Sequence, residues 1–129
     1  MKRILSFVCA VLLTVCLTAA PAEAAQNWRQ VYQNIEAMIN QGVSQYKNGD
    51  IPTAKNTIND SYYGIYEKDG FEKAVRTTIS SKNANVAEYQ YSRLKKAIRE
   101  DLGAEAVENE AKELLALMQK DLATLEGKG

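Results

Sequence analysis

The chain contains no histidine, and its two cysteines, Cys9 and Cys16, both lie in an apolar segment at the amino terminus. Because that segment has the features of a cleaved leader, we predict that the mature chain contains neither residue type. This excludes disulfides, thiolate or imidazole metal ligands, cysteine nucleophiles and Ser-His-Asp triads. Paired carboxylates remain possible, but a small helical domain rarely forms a sugar-sized cleft. We therefore predict that the protein is not an enzyme.

The amino terminus has the order of regions found in secretory signal peptides. Positive Met1-Lys2-Arg3 is followed by an apolar run over residues 4–20 and by the small-x-small sequence Ala22-Glu23-Ala24. We predict a signal peptide at 1–24 and a mature domain at 25–129, located outside the cytoplasm in the periplasm or at the cell exterior. Cleavage after Ala22 is a near alternative. An uncleaved anchor is another, although the run is shorter than the ~20 residues of a membrane span.

The chain also lacks an excess of either charge, with 16 basic and 16 acidic residues. Without Lys2, Arg3 and Glu23, the mature part has 14 basic and 15 acidic residues. No basic patch in the sequence indicates a nucleic-acid partner. The acidic segment at 100–126 is typical of a solvated helix face. The sequence after the leader has no second apolar run, so we predict no membrane span there.

Apolar residues recur at three- and four-residue steps along the mature chain, which predicts amphipathic helices. No segment shows the alternation of a strand. Asn48-Gly49-Asp50, Asp69-Gly70 and Gly103 separate the periodic segments, and Asp50 and Pro52 suit the start of a helix. We predict an all-α fold, an antiparallel four-helix bundle with an extra short helix, preceded by the signal peptide. The four main helices are predicted at 27–47, 51–68, 86–102 and 104–125, the short one at 71–79, and a loop at 80–85.

The same periodicity predicts which side chains point inward. The side chain of Leu102, at the end of the third main helix, is expected to point inward. Tyr63 and Tyr89 lie off the apolar stripes, whereas five tyrosines fall on them: Tyr32, Tyr46, Tyr62, Tyr66 and Tyr91. The predicted core includes Leu94, Ile98, Val107, Leu114 and Met118.

An ordered set of motifs is more specific than a generic bundle. It comprises Tyr46-x-x-Gly49-Asp50, Asp60-Ser61-Tyr62-Tyr63, Tyr66-Glu67-x-x-Gly70-Phe71-Glu72 and Glu88-x-x-Tyr91-x-x-Leu94. This set resembles the extracytoplasmic N-terminal domain of bacterial Ftr-type iron permeases, over about residues 28–125. The resemblance implies a freestanding module of an iron transport system, which either binds an iron ion or docks on an iron permease or another iron-uptake protein.

The chain departs from those permeases because they continue into membrane spans that carry an Arg-Glu-x-x-Glu iron motif. The stretch Arg99-Glu100-Asp101-Leu102-Gly103 lacks the second glutamate and falls on an amphipathic helix. Transport itself is therefore not assigned to this chain. The alternative function is a structural or protein-interaction helical bundle with no metal.

Any metal site in the mature chain must use oxygen ligands, which suit hard cations such as ferric iron. We predict the ligands Asp60, Glu67, Glu72 and Glu88, with Tyr63 nearby, because these residues lie in the permease-like segments. On an α-helix, Asp60 and Glu67 share one face about 10 Å apart. The break at Gly70 lets Glu72 fold back toward Glu67, and Glu88 can reach the same end of the bundle.

Structural roles for these carboxylates are the alternative, and for Glu67 that role is a pairing with a nearby lysine or arginine. Asp69-x-x-Glu72 and Asn85-x-x-Glu88 both have the form of a capping box. Glu67 has no such capping role, so it is the first of the four residues that we expect to contact a metal.

Overall fold

The computed structural model of the chain describes residues 27–128, and these residues are helical with no strand among them. The all-α prediction is therefore confirmed for this part of the chain. The predicted signal peptide and its cleavage sites lie outside the described residues. Among residues 27–128, no helix has the length and apolarity that crossing a membrane requires.

The first helix begins and ends close to where the sequence predicts, and the second begins at the predicted residue. Helix α1 spans Trp28–Lys47, and the Asn27 side chain accepts the Gln30 N–H at its start. Gly49 has a φ of 88°, a left-handed conformation that ends the helix with little steric cost. Asp50 then caps helix α2, Ile51–Asn59, by accepting the Thr53 N–H at 3.2 Å.

Beyond Asn59, the last residue of α2, the chain continues as a π-helical segment over Asp60–Glu67. After a turn at Gly70, whose φ is 86°, helix α3 spans Phe71–Ala74 and passes into a second π-helical segment, Val75–Ile79. The predicted extents of both helices are close to those observed. The π-helical hydrogen bonding of residues 60–67 and 75–79 was not predicted. We call residues 60–79, which contain both π-helical segments and α3, the π region.

The loop predicted at 80–85 is wrong. Helix α4 spans Ser81–Arg99, and Ser80 is its N-cap, accepting the Asn83 N–H at 3.0 Å. The start of α4 was not predicted because most residues of this stretch are polar, although Ala84 is fully buried. The capping box predicted at Asn85 is also wrong, because Asn85 lies inside α4.

The end of α4 also differs from the prediction. Asp101 has a φ of 53° and Gly103 a φ of 106°, so the chain turns before Leu102 can be carried inward. Leu102 is 55% exposed and does not belong to the core. The Tyr46 hydroxyl fixes this turn, since it donates to Asp101 and accepts the Gly103 N–H at 2.9 Å.

Helix α5, Ala104–Lys128, packs against both α1 and α4. Arg29 pairs with Glu126, and Lys47 with Glu108, so α1 and α5 run in opposite directions. The core of this helical bundle contains the five residues predicted above, each with 0% exposure. Tyr32, Tyr46, Tyr66 and Tyr91 are buried as their positions on the stripes predict, and Tyr62 packs against the same core.

Candidate functional site

Three of the four predicted site residues, Glu67, Glu72 and Glu88, lie near the turn at Gly70, on the side of the π region that packs against α4. The left-handed Gly70 reverses the chain, and its N–H donates to the Glu67 carbonyl at 3.1 Å. The turn places Glu72 on the first turn of α3, where it shares a cationic partner with Glu88 of α4. Asp69 does not cap this helix, because Gly70 holds the N-cap position with no side-chain bond. The second predicted capping box is therefore wrong as well.

Arg76 links two of the predicted ligands. Its Nε donates to the Glu72 Oε2 at 2.7 Å, and its Nη2 donates to the Glu88 Oε1 at 3.5 Å. The hydrogen bond to Glu72 is the main reason that the Arg76 pKa is raised. The Arg76 side chain is 34% exposed, so water weakens both ion pairs. Arg76 therefore orients these carboxylates more than it stabilises the fold.

Tyr62 interacts with both Glu88 and Glu67, and so joins Glu67 to this group. Its hydroxyl donates to the Glu88 Oε2 at 3.2 Å. Burial raises the Tyr62 pKa most, and the negative charges of Glu88 and Glu67 raise it further. The phenol thus remains a neutral donor between two carboxylates. We call Tyr62, Glu67, Glu72, Arg76 and Glu88 the Arg76 cluster.

Tyr66 lies beside the cluster and is fully buried within a set of aromatic rings. The Tyr66 ring centroid is 5.7 Å from that of Tyr62 and 5.5 Å from that of Tyr91. Its hydroxyl has no hydrogen-bond partner among the described residues. Burial raises the Tyr66 pKa most, and the charge of Glu72 is the next cause. An unpaired buried hydroxyl costs about 1–3 kcal/mol, so the Tyr66 hydroxyl lowers the stability of the fold.

Asp60 does not belong to the cluster. It is exposed, and no ion pair or hydrogen bond of its side chain occurs within residues 27–128. The predicted shared face with Glu67 assumed α-helical geometry. Both residues lie in a π-helical segment, whose bonds join residues five apart, so the seven-residue spacing does not place them on one face. Tyr63 is 59% exposed and its ring packs edge-on against Tyr62.

The geometry gives little support to a metal centre. No group of three or more acidic side chains in the described part of the chain could hold a metal ion. Carboxylate and phenol oxygens are suitable ligands for a hard cation. Glu72 and Glu88 already bind the Arg76 guanidinium, however, so a cation would have to displace it. The four-residue ligand set therefore remains a prediction.

Arg76 is the residue that sequence reasoning missed. The spacing Glu72-x-x-x-Arg76 is the i,i+4 separation of an ion pair on a helix and was visible in the sequence. The contact with Glu88 had no local signal, because it depends on how α3 packs against α4. Long π-helical segments are rare and occur frequently at functional sites, which also draws attention to this region.

Known proteins do not identify the site. The chain matches no protein-family model, no curated protein sequence and no solved structure.

Proposed function

We propose that the protein is a non-enzymatic helical module of an iron transport system, working outside the cytoplasm. In this proposal it docks on an iron permease or another iron-uptake protein through the surface that carries the Arg76 cluster. The observation that carries it is the convergence of Glu67, Glu72 and Glu88, from two permease-like segments, around Tyr62 and Arg76. Partly exposed carboxylates held by a guanidinium and a phenol hydroxyl suit the polar rim of a protein interface.

Iron uptake by cells tests this proposal. Deletion of the gene should lower the uptake of radioactive iron under iron limitation, and the full chain should restore it. Glu67→Gln should restore it less well, because it removes an exposed charge from the proposed docking surface. Glu105→Gln is the matched control, since Glu105 is also exposed but lies on the first turn of α5. Unchanged uptake after deletion would contradict the proposal.

Direct binding of iron, as cargo, is the second candidate. Glu67 favours it, because this exposed carboxylate has no cationic partner among residues 27–128. The ligands would be Asp60, Glu67, Glu72 and Glu88. A structural or protein-interaction bundle without metal is the alternative, and the exposed rings of Tyr63 and Tyr89 favour it, since aromatic side chains are enriched at interfaces.

The proposal includes export and a bundle architecture. We propose that residues 1–24 are a signal peptide and that residues 25–129 form an antiparallel four-helix bundle. The main helices would be α1, α2 with its π-helical extension, α4 and α5, and α3 would be the extra short helix. The opposite directions of α1 and α5 support this arrangement. Intact-mass measurement of the exported protein tests the cleavage; a retained amino terminus in the membrane fraction would contradict it.

A further inference from the structure

A basic groove lies between α2 and α4, next to the Arg76 cluster, because its Lys95 contacts the Tyr62 ring. It has a volume of about 480 Å³, and four of its seven lining residues are cationic: Lys55, Lys95, Lys96 and Arg99. No acidic residue lines it. The whole chain carries equal numbers of basic and acidic residues, so this concentration of positive charge is local.

Helical spacing brings these cations together from two separate stretches of sequence. Lys95 and Lys96 lie four and three residues before Arg99 at the end of α4, so each neighbours Arg99 on the helix surface. Lys55 lies one turn before Asn59 on α2, across the groove. Ile58, which is fully buried, lies beneath the groove.

The positive charges in the groove are largely unpaired. Within residues 27–128, Lys55, Lys95 and Lys96 form no ion pair, and Arg99 contacts only the exposed neighbouring Glu100, at 3.6 Å. By contrast, Arg93, which also lies on α4, pairs with Glu110 of α5 at 2.9 Å.

Aromatic rings orient one of the groove cations. The Lys95 Nζ lies 4.9 Å from the Tyr62 ring centroid and 5.6 Å from that of Tyr63. Cation–π contacts of this kind hold an ammonium group in place without neutralising it. Lys95 therefore stays available to an anion although its side chain is half-buried.

We propose that this groove binds a small organic anion that carries two or more carboxylate or phosphate groups. Several unpaired cations around one groove repel each other, and a multivalent anion relieves that repulsion. The Asn59 amide can donate to its oxygens. The volume falls within the range of about 300–1,000 Å³ that is usual for small-molecule sites.

Calorimetric titration with citrate and, separately, with pyrophosphate tests this inference. The protein is purified after export from cells that express the full chain. The titrations use an ionic strength of about 0.01 M and then about 0.15 M, because salt weakens contacts with exposed charges. Saturable binding of citrate alone identifies carboxylates as the ligand chemistry, and binding of pyrophosphate alone identifies phosphates. Either result supports a site in the groove if the substitutions below weaken it.

The double variant Lys55→Gln/Lys96→Gln removes two exposed charges from opposite sides of the groove, and we expect about tenfold weaker binding from the loss of two charge contacts. Lys73→Gln/Lys112→Gln is the matched control, because both lysines are exposed and lie outside the groove. Unchanged urea midpoints would verify that both variants fold. Binding of neither anion, equal weakening by both double variants, or binding only to vesicles of anionic phospholipid would overturn the proposal.

Discussion

The regular helices α1, α4 and α5 differ from the π region at 60–79 in how their side chains are directed. In the regular helices, an apolar stripe of period 3.6 identifies buried residues such as Leu94, Leu114 and Met118, each fully buried. In the two π-helical segments of the π region each hydrogen-bonded turn is one residue longer, which changes the side chains that share a face. The regular helices supply the core, and the π region holds most of the candidate site. The two regions should therefore respond differently to similar substitutions.

Truncation of the regular core should have the largest effect. Leu114 has 0% exposure in α5, so Leu114→Ala should lower the free energy of unfolding by about 2–5 kcal/mol through lost burial and a cavity. Leu102→Ala is the control, because Leu102 is 55% exposed and its truncation should change stability by less than about 0.5 kcal/mol. Urea unfolding measures both. Similar losses for the two variants would mean that the bundle is packed differently.

Removal of a tyrosine hydroxyl should have opposite effects in the two regions. The Tyr91 hydroxyl of α4 shares a hydrogen bond of 2.6 Å with buried Ser61, so Tyr91→Phe should destabilise the protein by about 1–3 kcal/mol. The Tyr66 hydroxyl has no partner among the described residues, so Tyr66→Phe should be neutral or stabilising. Thermal unfolding of both variants makes the comparison. A large loss for Tyr66→Phe would show that its hydroxyl has a partner.

A glycine substitution sharpens the comparison at a smaller scale. A Cβ added at Gly42 in α1 would lie 2.6 Å from the Ile58 Cδ1, and Ile58 is fully buried. Overpacking of about 1–3 kcal/mol, partly offset by the ~1 kcal/mol helix preference of alanine, should make Gly42→Ala destabilising by up to about 2 kcal/mol.

Gly64 provides the matched substitution in the π region. A Cβ there would meet nothing within 4 Å, so Gly64→Ala should be neutral or stabilise the protein by up to about 1 kcal/mol. Urea midpoints of the two alanine variants, measured side by side, check the expected difference. A loss at Gly64 equal to that at Gly42 would show that the π region does not tolerate an added side chain.

The fold could largely be predicted from the sequence because its main elements have local signals. Gly49 and Gly70 mark real breaks, and both adopt left-handed conformations. The start of α4 was missed because its first turn is polar and exposed except for Ala84. The π-helical segments were missed because a period of 3.6 is assumed whenever apolar residues recur at three and four positions.

The candidate site was less predictable because its contacts are not local. The sequence indicated Glu67, Glu72 and Glu88 as neighbours, and all three interact with Tyr62 or Arg76. It could not show that a guanidinium lies between two of the carboxylates, since this depends on the packing of α3 against α4. The basic groove was missed for the same reason, because Lys55 and Lys95 are far apart in sequence.

In our proposal, the Arg76 cluster is a docking surface that carries more carboxylates than cations and does not enclose iron. Calorimetric titration of ferric and ferrous iron into the exported protein tests this claim most directly. With Glu72 and Glu88 held by Arg76, we expect no saturable binding of either ion at one site per chain. Saturable binding that Glu67→Gln weakens, with no change in the unfolding midpoint, would contradict the claim and establish the carboxylates as iron ligands.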